Sequence, residues 1–570
     1  MSTHARPLAE QLAAMSDADL ADLLTARGVR SEVGWQDFFD AAEALLEPAS
    51  LAKILPTLTR SEASALQTLA AGGTIGEDSD DRRTLERLAL VRADGEVSAP
   101  VAAAASERAA PASPQSGDQP IAGEHSAAHA AERAFTTVAT IADLLLLARD
   151  KPLALLAGGT LSAGEKRQLA ESGVPTEHVD QLVTIASAAG LLSADDRRLR
   201  AGATADEWLR HGATTRWARL AEGFRGALPR GIRSADGGWV PLDEWPQAHP
   251  WDPAWPDLSS GLRERARLLG LVADDGSEPA WAVSLRLGQE PDAEPLAALL
   301  PAEVDRIFLQ NDLTAISPGP LAPALDVRLR TIATRESAAQ ASTYRFTPES
   351  IARALVAGET EESLVEFLDT ISLTGIPQPL RYLVAQTSQR HGLVRVSSDP
   401  DTGRTRIESA DPHIVDAIAV DQALRPLALS KDGGSLTTRV GRDTVYWALA
   451  DARYPATLVD ENGALLTGER HAPPSSGRTE APDYAALIEK LRSHQGPDAD
   501  AAWLDRELEA AVRAKALLQV TVGMPDGSTR DLLLEATGLG GGRLRGRDRA
   551  ADVERTLPVS SIRAATVIEQ

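Results

Sequence analysis

The 570-residue sequence contains no cysteine, so disulfide bonds, zinc fingers, iron–sulfur clusters and thiol catalysis are excluded. Aromatic residues make up only 4% of the chain, and a hydrophobic core must therefore rest mainly on Leu, Val, Ala and Ile. No apolar run approaches the ~18 residues that a membrane helix needs. The first twenty or so residues also lack the apolar segment of a signal peptide. These absences predict a cytoplasmic protein with no membrane contact.

Positive charge is also scarce, because 58 Lys and Arg residues face 82 Asp and Glu residues and give a net charge of −24. Contact with phosphate groups is driven by Lys and Arg. The balance therefore argues against sequence-blind coating of nucleic acid, and it disfavours anionic membrane surfaces. A local basic face remains compatible with it.

Motifs for the common catalytic chemistries are missing. The nearest match to a phosphate-binding loop is residues 158–166, but Glu165 stands where lysine is required and Lys166 comes one residue late. An acidic box that could hold magnesium is absent, as is a Gly-x-Ser-x-Gly nucleophile elbow. His125 and His129 have the right spacing for a metalloprotease but lack its glutamate. We therefore expect no enzyme activity, no cofactor and no metal.

The chain is long enough for about three to five domains of ordinary size. Changes in periodicity and composition predict a multi-domain α+β protein. The predicted segments are a helical and winged-helix-like unit at 1–104, a disordered linker at 105–131, a second winged-helix-like unit with a Trp-rich connection at 132–290, an α+β domain at 291–470, a linker at 471–482, and helices followed by a small β-barrel at 483–570.

The winged-helix expectation rests on helices that are followed by a hairpin pattern. Residues 57–73 indicate a helical hairpin, and residues 85–100 indicate a helix and two strands around Asp94-Gly95. Residues 134–200 repeat this form, which makes an internal repeat plausible. Short helical hairpins are common, however, and winged helices also dock proteins.

Basic residues decide between these two uses of a winged helix. Arg60 is the one basic residue in 57–73, which favours protein docking. Arg82, Arg83, Arg87 and Arg92 in the following helix and wing weaken that argument, and Arg82 and Arg83 are candidate DNA contacts.

Tryptophans concentrate between residues 205 and 290. They could stack on bases, or they could pack irregular loops. Arg and Lys are not interleaved with them as a nucleic-acid groove requires, so packing is the favoured interpretation. The residues are Trp208, Trp217, Trp239, Trp245, Trp251, Trp255 and Trp281.

Strong cap and turn signals mark the middle of the chain. Thr347 is a good N-cap followed by Pro348, and Gly358 predicts the end of that helix. An ordered pattern surrounds these residues. It consists of Tyr344-Arg345-Phe346-Thr347, Ser350, Ala354, Gly358, Leu364, Phe367-Leu368, Ser372, Thr374 and Ile376-Pro377, and it ends in a helix and HGLVRV.

With this pattern, residues 303–397 or so resemble the N-terminal domain of XPB-type DNA helicases. Among bacterial proteins the chain resembles actinobacterial helicase-associated domain proteins. The resemblance implies a domain that lies beside a motor and docks a partner subunit of the transcription and repair machinery. The motif residues themselves indicate a structural role. Tyr344, Phe346, Phe367 and Leu368 are expected in the core, and Thr347, Gly358 and Pro377 at caps and turns.

Residues 517–568 alternate with period two and break at Asp526-Gly527 and at the glycine run 538–542. About five short strands predict a small Sm-like barrel. With its lead-in helix, this module is similar to the WYL-type domain of bacterial transcriptional regulators, although the Trp-Tyr-Leu tripeptide is absent.

Four alternating arginines, Arg543, Arg545, Arg547 and Arg549, form the best local basic patch. On a strand they would share one face and could grip a phosphate backbone. The alternative is a solvated edge strand on which charge prevents aggregation.

Three hypotheses follow from the sequence. The favoured one is a non-catalytic, helicase-associated protein that binds DNA as an accessory or regulatory factor in DNA repair or transcription. The second is a protein-interaction scaffold that docks a helicase, a nuclease or another transcription or repair protein without touching DNA. The third, an enzyme with an unrecognised site, is supported only by the size of the chain.

Overall fold

The structure is a computed structural model with a mixed α+β architecture, 48% helical and 18% strand. It describes residues 5–113, 119–171, 174–338, 341–399, 402–452, 454–460, 465–466, 482–494, 497–524 and 528–568. Apart from residue 482, the predicted linker at 471–482 lies outside the described residues. The predicted turn at Asp526-Gly527 also lies outside them.

The regular secondary structure of the N-terminal unit, within residues 5–113, consists of helices. Its helices are α1 (Ala5–Ala14), α2 (Asp17–Ala26), α3 (Phe38–Leu46), α4 (Pro48–Ile54), α5 (Arg60–Ala70), α6 (Asp80–Arg87) and α7 (Ala99–Ser106). Side-chain caps define several starts, and Thr59 with Glu62 forms a capping box at α5.

The hairpin expected around Asp94-Gly95 is reduced to a turn. The Arg92 N–H donates to the Glu96 carbonyl at 2.9 Å, but residues 5–113 contain no strand. The reason is local, because helix α7 begins only three residues after Glu96, with a proline in its first turn. Too little chain remains for a second strand to pair.

The second unit combines three helices with a small sheet. Its elements are α8 (Glu124–Asp150), β1 (Leu153–Ala154), α9 (Ala163–Glu171), α10 (Val179–Ala188), β2 (Leu192–Asp195) and β3 (Arg198–Ala201). The antiparallel sheet has the order β1-β3-β2. A hairpin is therefore present here, in contrast to the N-terminal unit.

The last eight residues of the predicted disordered linker, 124–131, belong to helix α8, so this part of the linker is ordered. Small residues explain the difference, because Gly270 closely approaches the backbone of Ala130 and Ala134 packs beside it. Just before the helix, the Ala122 N–H donates to the Glu278 carbonyl at 2.8 Å. The alanine-rich composition predicts disorder for residues 124–131, whereas in the structure these small side chains let α8 pack closely.

The Trp-rich connection forms one core with the second unit. Its helices are α11 (Ala205–Trp208), α12 (Ala213–Gly226), α13 (Trp255–Leu268), α14 (Ala280–Arg286) and α15 (Glu294–Ala297). All seven tryptophans named above are buried, and several donate their indole N–H to backbone carbonyls, Trp217 to Leu269 at 2.7 Å and Trp281 to Gly270 at 2.8 Å. The packing interpretation is confirmed.

Two further cores follow along the chain. The first contains β4 (Phe308–Leu309), β5 (Thr314–Ser317), α16 (Pro323–Ile332), β6 (Thr334–Ala338), β7 (Ser342–Arg345), α17 (Pro348–Val356), α18 (Glu361–Ile371) and α19 (Gln378–Arg390), with sheet order β4-β5-β7-β6. The second contains β8 (Val394–Ser398), β9 (Thr405–Ser409), α20 (Pro412–Val420), β10 (Ser430–Asp432), β11 (Ser435–Thr438), α21 (Arg442–Asp451), β12 (Ala456–Val459) and β13 (Leu465–Leu466), with sheet order β10-β11-β9-β8-β12-β13.

The C-terminal module contains α22 (Ala485–Ser493), α23 (Pro497–Ala514), β14 (Leu517–Gly523), β15 (Thr529–Gly540), β16 (Arg543–Asp548), β17 (Val553–Pro558) and β18 (Ile562–Ile568). Its sheet has the order β17-β16-β15-β14-β18. Within the described residues β17 and β18 do not pair, so the predicted closed barrel is an open sheet. Leu504, Leu508 and Ala511 of α23 join the sheet's apolar residues in one core, and a helix can cover that face without closure.

Helix α22, together with Trp503 and Arg506 of α23, packs against the N-terminal unit rather than against the sheet. Tyr484 and Trp503 belong to the same core as α1–α7, and the Tyr484 hydroxyl donates to the Val29 carbonyl at 2.6 Å. Arg506 forms ion pairs with Asp40 at 2.6 Å and with Asp37 at 3.2 Å. Helix α23 therefore contacts both the N-terminal unit and the C-terminal sheet.

Candidate nucleic-acid interface

The arginines of β16 form a row on the solvent face of the C-terminal sheet. Burial alternates along the strand, so that Arg543, Arg545 and Arg547 are exposed while Leu544 and Gly546 face the core. Arg549 follows the end of the strand and is also exposed. We refer to Arg543, Arg545 and Arg547 as the arginine row.

The row is compensated at one end only. Arg547 pairs with Asp552 at 2.7 Å, and Arg549 pairs with Glu535 at 3.0 Å. In the part of the chain that the structure describes, Arg543 and Arg545 have neither an ion pair nor a side-chain hydrogen bond. Two adjacent guanidinium groups are therefore available to a ligand.

Residues of the neighbouring strands explain this asymmetry. Arg547 lies opposite Glu535 on β15 and Glu554 on β17. Arg545 lies opposite Gly538 and Thr556, and Arg543 lies opposite Gly540 and Pro558. The carboxylates thus stand beside Arg547, and the two other arginines have small or neutral neighbours.

The opposite face of the sheet holds one charged residue in place. Asp548 is buried and accepts a hydrogen bond from Arg555 Nε at 2.6 Å, and this bond holds the pKa of Asp548 below its ordinary value. The backbone N–H of Ala550 donates to the same carboxylate at 3.0 Å. These bonds stabilise the turn after β16. Arg555 therefore has a structural role and is not part of the arginine row.

The other two candidate DNA contacts lie in α6 and are engaged within the chain. Arg82 Nε pairs with Glu86 at 2.8 Å, and this hydrogen bond raises the pKa of Arg82. Its side chain is largely buried and also donates to the Ala93 carbonyl at 3.2 Å. Arg83 pairs with Asp80 at 3.0 Å and stays exposed. Neither residue lies in the C-terminal sheet.

In the second unit the third helix is covered. Helix α10 packs against α12 and α13, and Arg265 of α13 donates to the Gln181 side chain at 2.7 Å. The tip of the β2–β3 hairpin is exposed instead and carries Arg197 and Arg198. These two arginines are therefore accessible to a ligand, whereas the face of α10 that packs against α12 and α13 is not.

The motif residues of the central region lie in the core or at helix ends. Tyr344, Phe346, Phe367 and Leu368 are buried in the core that α16–α19 share. At the helix ends, Thr347 caps α17 in a capping box with Ser350, Gly358 has a φ of +100° after α17, and Pro377 is the N-cap residue of α19.

An ion-pair cluster that the sequence did not reveal joins this region to the second unit. Asp143 of α8 is only 9% exposed and accepts from Arg330 at 2.6 Å and from Arg335. The Tyr344 hydroxyl donates to Asp326 at 2.6 Å, and burial raises the pKa of Tyr344 above its ordinary value. No periodicity signal links residues so distant in sequence.

The segment that came nearest to a phosphate-binding loop has a structural role at the start of α9. Ser162 Oγ accepts from the Glu165 N–H at 3.2 Å, and Lys166 Nζ pairs with Asp180 at 2.5 Å. Its lysine is therefore occupied. The described residues include no cluster of three or more His, Asp or Glu side chains that could hold a metal ion.

Comparison with protein families gives one match. Residues 307–432 match the family model described as helicase conserved C-terminal domain. This supports the helicase association that the motif pattern predicts and extends it beyond residue 397. Among curated proteins, the chain has no match. Within the described residues, all helices are too short or too polar to span a bilayer.

The match corrects one prediction. A helicase conserved C-terminal domain indicates a helicase-type protein, which would be an enzyme, so the prediction that the chain is not an enzyme is contradicted. That prediction rested on two missing nucleotide-binding motifs. A missing motif excludes one arrangement of residues, and it does not exclude an activity carried by another.

Proposed function

We propose that the chain is a helicase-type protein that binds DNA directly through the arginine row of its C-terminal sheet. The observation that carries the proposal is the pair Arg543 and Arg545, which are exposed, adjacent and without partners in the described structure. In a chain of net charge −24, most random encounters with phosphate are repulsive. An uncompensated local patch is then the favoured point of contact.

The topology of the second unit supports a nucleic-acid role. Its element order α8-β1-α9-α10-β2-β3, with sheet order β1-β3-β2, matches the arrangement expected of a winged helix. In this proposal the exposed wing tip with Arg197 and Arg198 contacts the DNA, because α10 is covered. The N-terminal unit, which has no strand in residues 5–113, contributes helices only.

The family match supports the central domain's role at the level of helicase association. We propose in addition that this domain is of the XPB type, as in actinobacterial helicase-associated proteins, and that it acts in DNA repair or transcription. The open five-stranded sheet preceded by α23 supports a distant WYL-like origin for the C-terminal module.

A second candidate function is docking of a partner protein such as a helicase, a nuclease or a transcription or repair factor. Phe308 and Leu373 favour it, because they are 40% and 54% exposed. The adjacent bridge between Ile307 and Ser372 brings them side by side at an edge of the matched domain. An exposed apolar pair beside a sheet edge is typical of a protein contact.

Fluorescence anisotropy with labelled single- and double-stranded DNA across a salt series tests the DNA proposal. We expect binding that weakens with salt, and a loss of affinity in the R543A/R545A/R547A variant. The matched control is R30A/R167A/R210A, which removes the same charge from three separate exposed positions. Equal losses in both variants would contradict the location, and no binding at low salt would favour the docking function. ATP hydrolysis with and without DNA should be measured on the same samples.

A further inference from the structure

We propose that the unpaired edge of β15 at residues 529–532, here called the free edge, binds an extended segment of a partner protein by antiparallel strand addition. An acidic residue of that segment lies opposite Arg530, and a basic residue lies opposite Asp531. The free edge is at the end of the sheet that is remote from Arg543 and Arg545. The inference goes beyond the proposed function, because it assigns a protein ligand to a different set of residues.

The free edge arises because β16 ends before its neighbour β15 does. The last residue pair between these two strands is Leu534 with Asp548, whereas β15 pairs with β14 as far as Thr529. After Asp548 the chain leaves the sheet in the turn at residues 549–552. Within the described structure, residues 529–532 therefore have a neighbouring strand on one side only.

Backbone hydrogen-bonding groups point outward from this edge. The Arg549 N–H donates to the Leu533 carbonyl at 2.8 Å, so Leu533 directs its backbone groups away from β14. Every second residue of an antiparallel strand has the same orientation, and Asp531 therefore directs its N–H and carbonyl to the same side. The Thr521 hydroxyl donates to the Asp531 carboxylate at 2.6 Å, which agrees with this orientation because side chains lie closer in pairs without backbone hydrogen bonds. In the described part of the chain both backbone groups of Asp531 lack a partner, and an added strand can bond to them.

The free edge borders a cavity of about 470 Å³. Arg530, Asp531 and Leu532 line one side of the cavity, and Ala551 of the turn lines the other. A volume of this size is within the range of ligand sites in proteins. Because the turn closes one end, the added strand must be short, and its register along β15 is limited.

Side chains of the free edge define the charge pattern of the ligand. Arg530 is exposed and, among the described residues, has neither an ion pair nor a side-chain hydrogen bond. Asp531 is exposed on the opposite face of the sheet. Residues directly opposite each other in an antiparallel pair are in contact, where opposite charges stabilise and like charges destabilise. The favoured segment therefore has Asp or Glu opposite Arg530, Lys or Arg opposite Asp531, and an apolar residue opposite the buried Leu532.

The direction of the added strand and the kind of partner also follow from the structure. An antiparallel strand continues the line of β16, which is itself antiparallel to β15, and such pairs are slightly more stable than parallel ones. From its N-terminus, the segment then has the order Val-Lys-Glu-Thr opposite residues 532 to 529. A different protein is favoured over a second copy as the occupant, because a net charge of −24 opposes self-association.

Disulfide capture of peptides by the full chain tests the inference, because the chain has no cysteine of its own. Ala551→Cys puts a single thiol on the exposed turn beside the cavity, where the N-terminal end of the added strand would lie. The probe is Cys-Gly-Val-Lys-Glu-Thr, and its matched control is Cys-Gly-Val-Glu-Lys-Thr, which has the same composition and charge.

Both peptides compete for the thiol in a thiol–disulfide exchange buffer, and mass spectrometry measures the two mixed disulfides. We expect about threefold to tenfold more of the Val-Lys-Glu-Thr product, because the control replaces two attractive cross-strand charge pairs by two repulsive ones. Equal capture of the two peptides would overturn the inference.

Three controls locate the contact at the free edge. Ala18→Cys, at an exposed position on α2, should capture both peptides equally, and a preference there as large as at the turn would contradict the location. In the Ala551→Cys chain, R530E/D531K exchanges the two charges of the edge and should reverse the order of the peptides. Retention of the original order would contradict the proposed pairing. N-methylation of the probe's lysine removes the N–H that donates to the Asp531 carbonyl, and it should lower capture about threefold or more.

Sedimentation velocity of the parent chain separates a partner protein from a second copy as the occupant. We expect a monomer over the concentration range of the capture experiment, which agrees with a free edge that is open to another protein. Dimers that R530E/D531K dissociates would identify a second copy as the occupant and would overturn the assignment to a partner.

Discussion

Two groups of arginines in this protein have their positive charges stabilised in opposite ways. Arg330 and Arg335 are largely buried and converge on one carboxylate, Asp143. Arg543 and Arg545 stand on an exposed face and meet no carboxylate in the described structure. A buried charge must be paired because desolvation is costly, whereas an exposed one is stabilised by water. Partner geometry therefore separates an arginine that holds the fold from one that can bind a ligand.

Arg82 shows why the comparison is needed. The sequence offers Arg82 and Arg543 equally as candidate DNA contacts. In the structure, however, the Arg82 guanidinium donates hydrogen bonds to Glu86 and to the Ala93 carbonyl. Sequence position alone placed both in the same class of candidates. Their surroundings assign Arg82 to the turn after α6 and leave Arg543 accessible.

The largest effect is expected at the buried cluster. Asp143→Ala leaves Arg335 without its ion pair and Arg330 with only the longer one to Asp326, at 3.8 Å, and should lower the free energy of unfolding by about 3–5 kcal/mol. Urea denaturation followed by tryptophan fluorescence is suitable, because six of the ten tryptophans lie in the core that α8 shares. Asp80→Ala, which breaks the exposed pair with Arg83, is the control and should cost less than about 1 kcal/mol. Similar losses of unfolding free energy in the two variants would show that the buried ion pairs do not stabilise the fold more than the exposed one.

Glu507 extends the comparison to a buried carboxylate. It lies on α23 and is 3% exposed, and burial raises its pKa from 4.5 to about 7. The charge of Arg6 opposes this rise, and the charge of Glu10 adds to it. The folded state thus holds the proton more tightly than the unfolded state. The stabilisation is complete below pH 4.5 and is lost as the pH rises towards 7.

The expected outcome is a stability difference between pH 5 and pH 8 that disappears in a neutral variant. The parent chain should lose about 2–3 kcal/mol relative to Glu507→Gln over this range. Urea denaturation of both proteins at each pH measures the difference, and other titrating groups cancel in the comparison. A parallel pH dependence of the two proteins would show that Glu507 does not titrate there.

A neutral contact should give an intermediate effect. Thr347→Ala removes the hydroxyl that accepts from the Ser350 N–H at 3.1 Å, and it should cost about 1 kcal/mol. Thr347→Ser keeps the oxygen and should cost less. Thermal denaturation of the three proteins measures the order. Equal losses in both variants would mean that the cap is not the stabilising feature of this helix start.

The smallest effect on stability is expected at the arginine row. R543A/R545A should change the free energy of unfolding by no more than about 0.5 kcal/mol, because the two side chains have no partners to lose. The same urea experiment measures it. A loss above 1 kcal/mol would assign these arginines to the fold, and any loss of nucleic-acid binding would then have a structural cause.

Local signals explain how much of the fold could be predicted. Thr347 and Gly358 mark the two ends of α17 in the sequence, because caps and positive φ depend on residues close in the chain. The strand alternation of residues 543–549 is local in the same way. The hairpin at Asp94-Gly95 was predicted from its turn, but the nearby start of α7 prevents its second strand. The prediction that the C-terminal sheet closes into a barrel was wrong, because the sequence does not show that α23 covers the apolar face of the sheet.

The sequence by itself determined the absence of cysteine chemistry, the acidic balance, the helix caps of the central domain and the alternation that puts three arginines on one side of a strand. Each of these depends on composition or on residues within a few positions of one another. Only the tertiary structure decided which arginines are compensated, because Asp143 lies nearly two hundred residues from its partners. Pairing of β15, β16 and β17 likewise decided that Glu535 and Glu554 flank Arg547 and that glycines flank Arg543 and Arg545. Electrostatic compensation acts through space, and distance along the chain does not predict it.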